Sequence, residues 1–353
     1  MRPARSGGQY SLVRALVGGS LVSYGLAFAL VRRPALAQDG IQVHVLVPVL
    51  FAGLGLLFAL GRFDRWAGLV LAPYWFGLHY ALDEHLELGV LALTVLLVLQ
   101  AFLPRAPYGS WDARGRVDPD GGWRAPLWVG PLAQLLLGAL LGLLAYMELF
   151  WFGFTALALG KSALFVLFCL PRTRAWAFAA LFFFFSVVGW ALIRAPTGFG
   201  LPLFVLFAFE PAWIAPAPRR GPVRVFYDGS CALCHGFVRF LLAEDRAGRV
   251  RFAPLGGETF LRELPAEVRA TLPDSVVVLG DDGVPRVRSQ GVRYVLATLG
   301  GGWRVLAVLQ GLFPRFVRDL VYDAIARVRK SVFGTKSEAC PLMPRELGAR
   351  FEP

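Results

Sequence analysis

The sequence predicts a multi-span α-helical membrane domain of about eight helices followed by a small α/β domain. Three observations carry this. The 353 residues are 56% hydrophobic and only 17% charged, more apolar surface than a single soluble core of this size can bury. Apolar runs follow one another up to about residue 213 and then stop. Beyond the Pro- and Arg-rich "APAPRRGP" at 215–222, the pattern changes to short alternating strands and amphipathic helices.

The predicted spans cover 10–31, 41–61, 66–81, 88–104, 126–147, 151–170, 175–193 and 198–213. Most approach the ~20 residues that a bilayer core requires; the third and the last are short enough to be re-entrant or interfacial. Arg2, Arg5 and Arg14 precede and enter the first run with no small-residue cleavage site, so it reads as a retained span. With the N-terminus inside, one side carries Arg62, Arg65, Arg105, Arg114, Arg116, Arg124, Arg172 and Arg174, and the acidic 83–87 falls on the other. Arg32, Arg33 and Arg194 run against that bias. This orientation expects an integral membrane protein of a bacterial inner membrane, with the C-terminal domain cytoplasmic. The net charge of +12 then faces an anionic leaflet; no aromatic-interleaved basic run suggests nucleic acid.

The domains are accordingly 1–214, transmembrane; 215–222, linker; 223–341, the small domain; and 342–353, a tail. Within the small domain "VRVFYD" reads as a strand, "CALCHGFVRFLLAED" as an amphipathic helix and "VRFAPL" as a second strand. "DSVVVLGDDGVPRVRS" is two strands about an Asp-Gly turn. Helices follow at 289–299, 303–312 and 315–332, the last with Phe316, Leu320, Ile325 and Val328 on one apolar stripe.

Four cysteines, Cys169, Cys231, Cys234 and Cys340, are too few and too uneven for a disulfide scaffold. Cys169, inside an apolar run, reads as a packing residue. Cys231-x-x-Cys234 fits a dithiol or half of a zinc site, and with His235 it also spells the c-type haem attachment sequence. Zinc needs a second ligand pair, and Cys340 with His235 makes only an irregular set. Haem needs a distal ligand, whereas His44, His79, His85 and Met147 lie in or beside the apolar runs and only Met343 is nearby in sequence. A dithiol needs a strand running into a helix with the first cysteine at the helix N-terminus, where exposed N–H groups favour a thiolate. That context is present, so no cofactor or metal is expected; the other reading is two cysteines merely packed in a core.

The "FYDGSCALCHGFVRFLLAED" stretch resembles the opening of the DCC family of predicted thiol-disulfide oxidoreductases, named for its D-x-x-C-x-x-C pattern. The likeness continues through "RFAPL", "DSVVVLGDDG", "RSQGVRYVLATLGGGWRVL", "FPRFVRDLVYDAIARVRKSVFG" and "EAC", over residues 222–341. It implies a thioredoxin-like fold with Asp228, Cys231 and Cys234 at the signature positions, and a thiol or disulfide substrate. Asp228 is either a proton shuttle or a turn and helix-cap residue. His235 is either a tuning group or a plain helix residue. Cys340 is either a further resolving thiol or an isolated one. Thioredoxins carry a cis-proline before a central strand; Pro273, separated from Ser275 by Asp274, is a departure and reads equally as a turn proline.

The N-terminal half is similar, through "PYGSWDARGRVDPDGGWRAPLW", "PRTRAWAFAALFFF" and "LFAFEPAWI", to the horizontally transferred transmembrane (HTTM) domains related to vitamin K-dependent γ-carboxylases. No catalytic residue is carried over from them. Its ionisable candidates are Lys161, Glu148 and His79. Lys161 is either a buried functional amine or a side chain snorkelling to an interface. The expectation is a membrane-anchored thiol-disulfide oxidoreductase. The alternative is a carrier or quinone-linked enzyme served by an accessory dithiol domain; a third reading is a scaffold whose dithiol is incidental.

Overall fold

A computed structural model describes residues 5–31, 41–81, 87–151, 155–170, 172–191, 199–218, 221–229, 231–333 and 345–353. It divides into two compact units. One comprises Tyr10–Arg114 and Arg124–Trp213; the other comprises Met1–Gln9, Gly115–Trp123 and Ile214–Pro353.

The first unit is helical. Helices α1 (Gly7–Val31, joining this unit from Tyr10), α2 (Ile41–Leu60), α3 (Asp64–Ala81) and α4 (Leu88–Ala101) come first. They are followed by α5 (Val129–Trp151), α6 (Thr155–Cys169), α7 (Arg174–Ala191) and α8 (Gly200–Ala208). All eight fall on the apolar runs read from the sequence. Their lengths differ from the expectation: α4, α6 and α8 have 14, 15 and 9 residues. Among the described residues, two helices, over Gly7–Leu30 and Val129–Met147, are long and apolar enough to cross a membrane. An aromatic cluster of Tyr24, Phe51 and Trp75 with His79 sits among α1, α2 and α3. Arg14, which the sequence analysis placed only as an entry charge, is buried 3.6 Å from Asp64.

The second unit is built on a four-stranded sheet ordered β2-β1-β3-β4. Strand β1 (Val223–Tyr227) leads into helix α9 (Ala232–Glu244) and returns as β2 (Val250–Pro254), parallel to β1 with Val225 opposite Phe252. Next come α10 (Glu258–Glu263) and α11 (Ala266–Ala270), then the hairpin of β3 (Val277–Leu279) and β4 (Pro285–Val287). β3 is antiparallel to both β1 and β4. The hairpin turn uses Gly283 at φ +69°, a conformation glycine adopts without steric penalty.

Alternation along β1 sends Val223, Val225 and Tyr227 to one face and Phe226 to the other. The first face packs with Cys231, Cys234, Val238, Leu241, Phe252, Val278 and Val295. The second packs against Phe260 and Leu264 of the α10–α11 segment. Neither α10 nor α11 stood out in the sequence, because their short mixed-charge turns carry no clear period.

Helices α12 (Arg288–Leu299), α13 (Gly301–Gly311) and α14 (Arg315–Phe333) agree with the three helices expected. A last turn, α15 (Arg345–Gly348), precedes residues that the sequence analysis set apart as a tail. They instead line the β2 edge: Phe252 N–H donates to Arg350 O at 2.9 Å and Glu352 N–H to Phe252 O at 2.7 Å. This blunts an otherwise open strand edge. Arg350 lies 2.6 Å from Asp245, both largely buried. Burial pulls the Arg350 guanidinium below its ordinary pKa, and the Asp245 carboxylate opposes that.

Candidate active site

The strand β1 ends at Tyr227, and the Asp228-Gly229 turn delivers the chain to α9. Cys231 occupies the N-cap position, with extended backbone and its sulfur accepting the Cys234 N–H at 3.3 Å. The cysteine therefore does what a serine or aspartate usually does there, satisfying one of the helix's open N–H groups. An anionic sulfur accepts such a bond more strongly than a neutral one. Cys234 follows by one turn on the same helix, and both residues are thiols.

Asp228 is not the helix cap that the sequence analysis offered as one of its roles, because Cys231 holds that position. Its backbone carbonyl instead accepts the Cys231 N–H at 3.2 Å, closing the turn that aims the cysteine at the helix. His235 sits in the first turn of α9. It is buried, its Nε2 lies 2.6 Å from Gly229 O, and its ring stands edge-on to Tyr227 at 6.0 Å. A carbonyl only accepts, so Nε2 carries the proton. The imidazole thus ties the turn before Cys231 to the helix after it.

One feature of the site departs from a simple surface dithiol. Cys231 is 0% exposed and Cys234 5%, and both belong to the sheet's core cluster. Among the described residues, no three His, Cys, Asp or Glu side chains are grouped to hold a metal.

Cys340 lies outside the described residues, as do the side chain of Glu148, the side chain of His44, and His85. Pro273 is half-buried in the loop before β3, and no cis peptide bond occurs among the described residues, so the thioredoxin-type cis-proline platform is absent at this position. Cys169, expected to pack, is exposed at the end of α6. In the helical unit, Lys161 is buried with its amine 5.3 Å from the Phe184 ring. His79 is buried on α3, its Nδ1 2.9 Å from Trp75 O and its Nε2 3.1 Å from the Tyr24 hydroxyl. That pattern is a fully engaged core histidine, with the Nδ1–H donating and Nε2 accepting.

Sequence reasoning missed Glu244. Its buried carboxylate closes α9 and accepts from Ser6 Oγ, from Gly8 N–H at 2.9 Å and from the Trp303 indole at 2.6 Å. Burial pushes this carboxyl above its ordinary pKa, against those three hydrogen bonds. Contacts across 59 to 238 residues of sequence leave no local signal.

Residues 225–335 match the family described as DCC1-like thiol-disulfide oxidoreductase. The uncharacterized protein YuxK of Bacillus subtilis is 37% identical over 133 residues, which are 37% of this chain and 96% of that protein. The chain belongs to the DCC family. A chloroplast DCC family protein of Arabidopsis thaliana, At1g52590, is 33% identical over 123 residues, 35% of this chain and 70% of its own length. The DCC match falls on the strand–turn–helix that carries Cys231 and Cys234 and on the sheet around it. No solved structure matches.

Proposed function

We propose that this DCC-family chain is a membrane-anchored thiol-disulfide oxidoreductase working through Cys231 and Cys234. The observation that carries the reading is the cysteine at the α9 N-cap, its sulfur aimed at the Cys234 N–H. The β1-α9-β2 unit followed by the β3-β4 hairpin, in order β2-β1-β3-β4, supports a thioredoxin-like framework beneath it.

The Cys231 thiolate attacks one sulfur of a substrate disulfide, forming a mixed disulfide and releasing one substrate thiolate. The Cys234 thiolate then attacks Cys231 Sγ, releasing the second substrate thiol and leaving a Cys231–Cys234 disulfide. The substrate gains two electrons and the dithiol loses two; an external thiol reductant resets it. Asp228 and His235 act by positioning, the first through its backbone carbonyl and the second through Gly229. Since Cys231 is fully buried, exchange requires a local opening, which favours small or flexible disulfides over rigid ones.

Anchoring is supported by α1 and α5, which meet the length of a bilayer core and turn Leu12, Leu16, Leu30, Leu135 and Leu143 outward. The buried Lys161 on α6 keeps a second reading in play, a carrier or small-molecule enzyme in the helical unit served by the dithiol. Reduction of a small disulfide by the full chain, Cys231→Ser and Cys234→Ser separates the two. Loss of turnover in both variants supports the dithiol reading, and unchanged turnover sinks it. Labelling by an impermeant maleimide in intact cells tests the cytoplasmic placement, which external labelling of Cys231 would overturn.

A further inference from the structure

Helix α14 is turned the opposite way from an ordinary surface helix. Its polar side meets the domain: the Tyr322 hydroxyl accepts the Val276 N–H at 3.2 Å, and Asp319 accepts from Ser289 N–H and Oγ at 3.3 and 2.5 Å. Arg318 reaches Ser289 Oγ at 3.4 Å, and Asp323 pairs with Arg288 at 3.2 Å. Its apolar stripe faces outward, with Phe316 74% and Leu320 62% exposed and Val321 and Ile325 also exposed. The preceding turn extends the stripe through Leu312, 75% exposed, and Phe313. The hydrophobic effect normally places such a stripe inward, so this face is built for a partner outside the domain.

Charge decides which partner. The nineteen-residue helix carries five basic and two acidic residues, and both acids are already paired, Asp319 with Arg315 and Asp323 with Arg288. Exposed Arg327 stands two turns along from Leu320 on the same side of the helix. Exposed phenylalanine and leucine with an exposed arginine beside them, on a helix with an excess of basic residues, is the make-up of a helix lying in a membrane interface. Two helices with the same excess of positive charge would repel each other, which disfavours a second copy as the occupant. The charges also preclude α14 as a span.

We propose that the outer face of α14, continued by Leu312 and Phe313, is a docking surface that lies in the headgroup layer of an anionic bilayer. Phe316, Leu320 and Ile325 enter the acyl boundary while Arg327 reaches lipid phosphates. The docking would hold the dithiol domain at the membrane face and direct it towards membrane-borne or membrane-proximal disulfides. It rests on the membrane anchoring proposed above and is independent of the dithiol chemistry.

The test is amide hydrogen exchange of the full chain in nanodiscs of equal parts phosphatidylglycerol and phosphatidylcholine, against discs of phosphatidylcholine alone. The α14 amides should slow by about tenfold in the anionic discs, with the difference fading at high salt. Leu320→Asp with Ile325→Asp should abolish the difference while leaving α12 exchange unchanged, since both side chains are exposed. Equal α14 exchange in both lipids, with α1 and α5 protected, overturns the proposal and leaves the anchoring intact. Protection accompanied by cross-linked dimers, whatever the lipid, assigns the face to a second copy and also overturns it. Failure of α1 and α5 to gain protection would instead strike the anchoring itself, and the docking with it.

Discussion

Removing Asp245 tests whether the C-terminal residues are integral to the dithiol domain. Its carboxylate lies 2.6 Å from the buried Arg350 guanidinium and also accepts the Val250 N–H at 2.7 Å. Arg350 donates further to Val250 O at 3.1 Å and Asp245 O at 3.3 Å. Asp245→Ala therefore strands a buried cation at the β2 edge. Breaking a buried pair on one side costs about 3–5 kcal/mol. Replacing both partners costs less, since nothing charged is left buried; Asp245→Ala with Arg350→Met should recover about half of the loss. The buried cysteines supply the assay. In a Cys169→Ser, Cys340→Ser background, modification of Cys231 and Cys234 under native conditions reports opening of this core. Asp245→Ala should speed it roughly a hundred- to several-thousand-fold, and the double variant considerably less. A rise below about fivefold, or strictly additive effects, would refute the reasoning.

Three further outcomes follow from the same geometry. His235→Ala removes the tie to Gly229 O and should weaken the turn by about 1–3 kcal/mol; His235→Gln, which keeps a donor, should restore part of the lost exchange rate. Glu244 has a folded pKa raised above its unfolded one, so its contribution is fully present below the ordinary glutamate range and is lost as pH rises through the folded value. Urea midpoints should therefore fall with rising pH in the wild type, and Glu244→Gln should flatten that slope; an unchanged slope would show the carboxyl to be ionised at no penalty. Gly300 stands at φ +77°, and an added Cβ there would meet Pro216 N at 2.8 Å. Gly300→Ala should destabilise by roughly 1–3 kcal/mol, measurable as a lower urea midpoint.

The elements were legible where composition or period was strong. The apolar runs marked the eight α-helices described in the first unit, and the β-branched, apolar "VRVFY" and "VVVL" marked strands β1 and β3. The Cys-x-x-Cys spacing at a strand–helix junction marked the candidate site. What stayed hidden depends on distance in the chain. Nothing local tells that Glu244 meets Ser6 and Trp303, or that Arg350 returns to Asp245. Nor does the motif reveal that Cys231 caps α9 with its own sulfur and is fully covered. The stripe on α14 was visible, but its outward orientation was not.

The central claim is that Cys231 attacks and Cys234 resolves. The most direct test mixes the Cys234→Ser full chain, in the Cys169→Ser, Cys340→Ser background, with a small disulfide and reads its intact mass. One stable mixed disulfide is expected, mapped to Cys231, which wild-type Cys234 clears. No adduct at Cys231, or the same turnover in Cys231→Ser as in the wild type, would contradict it.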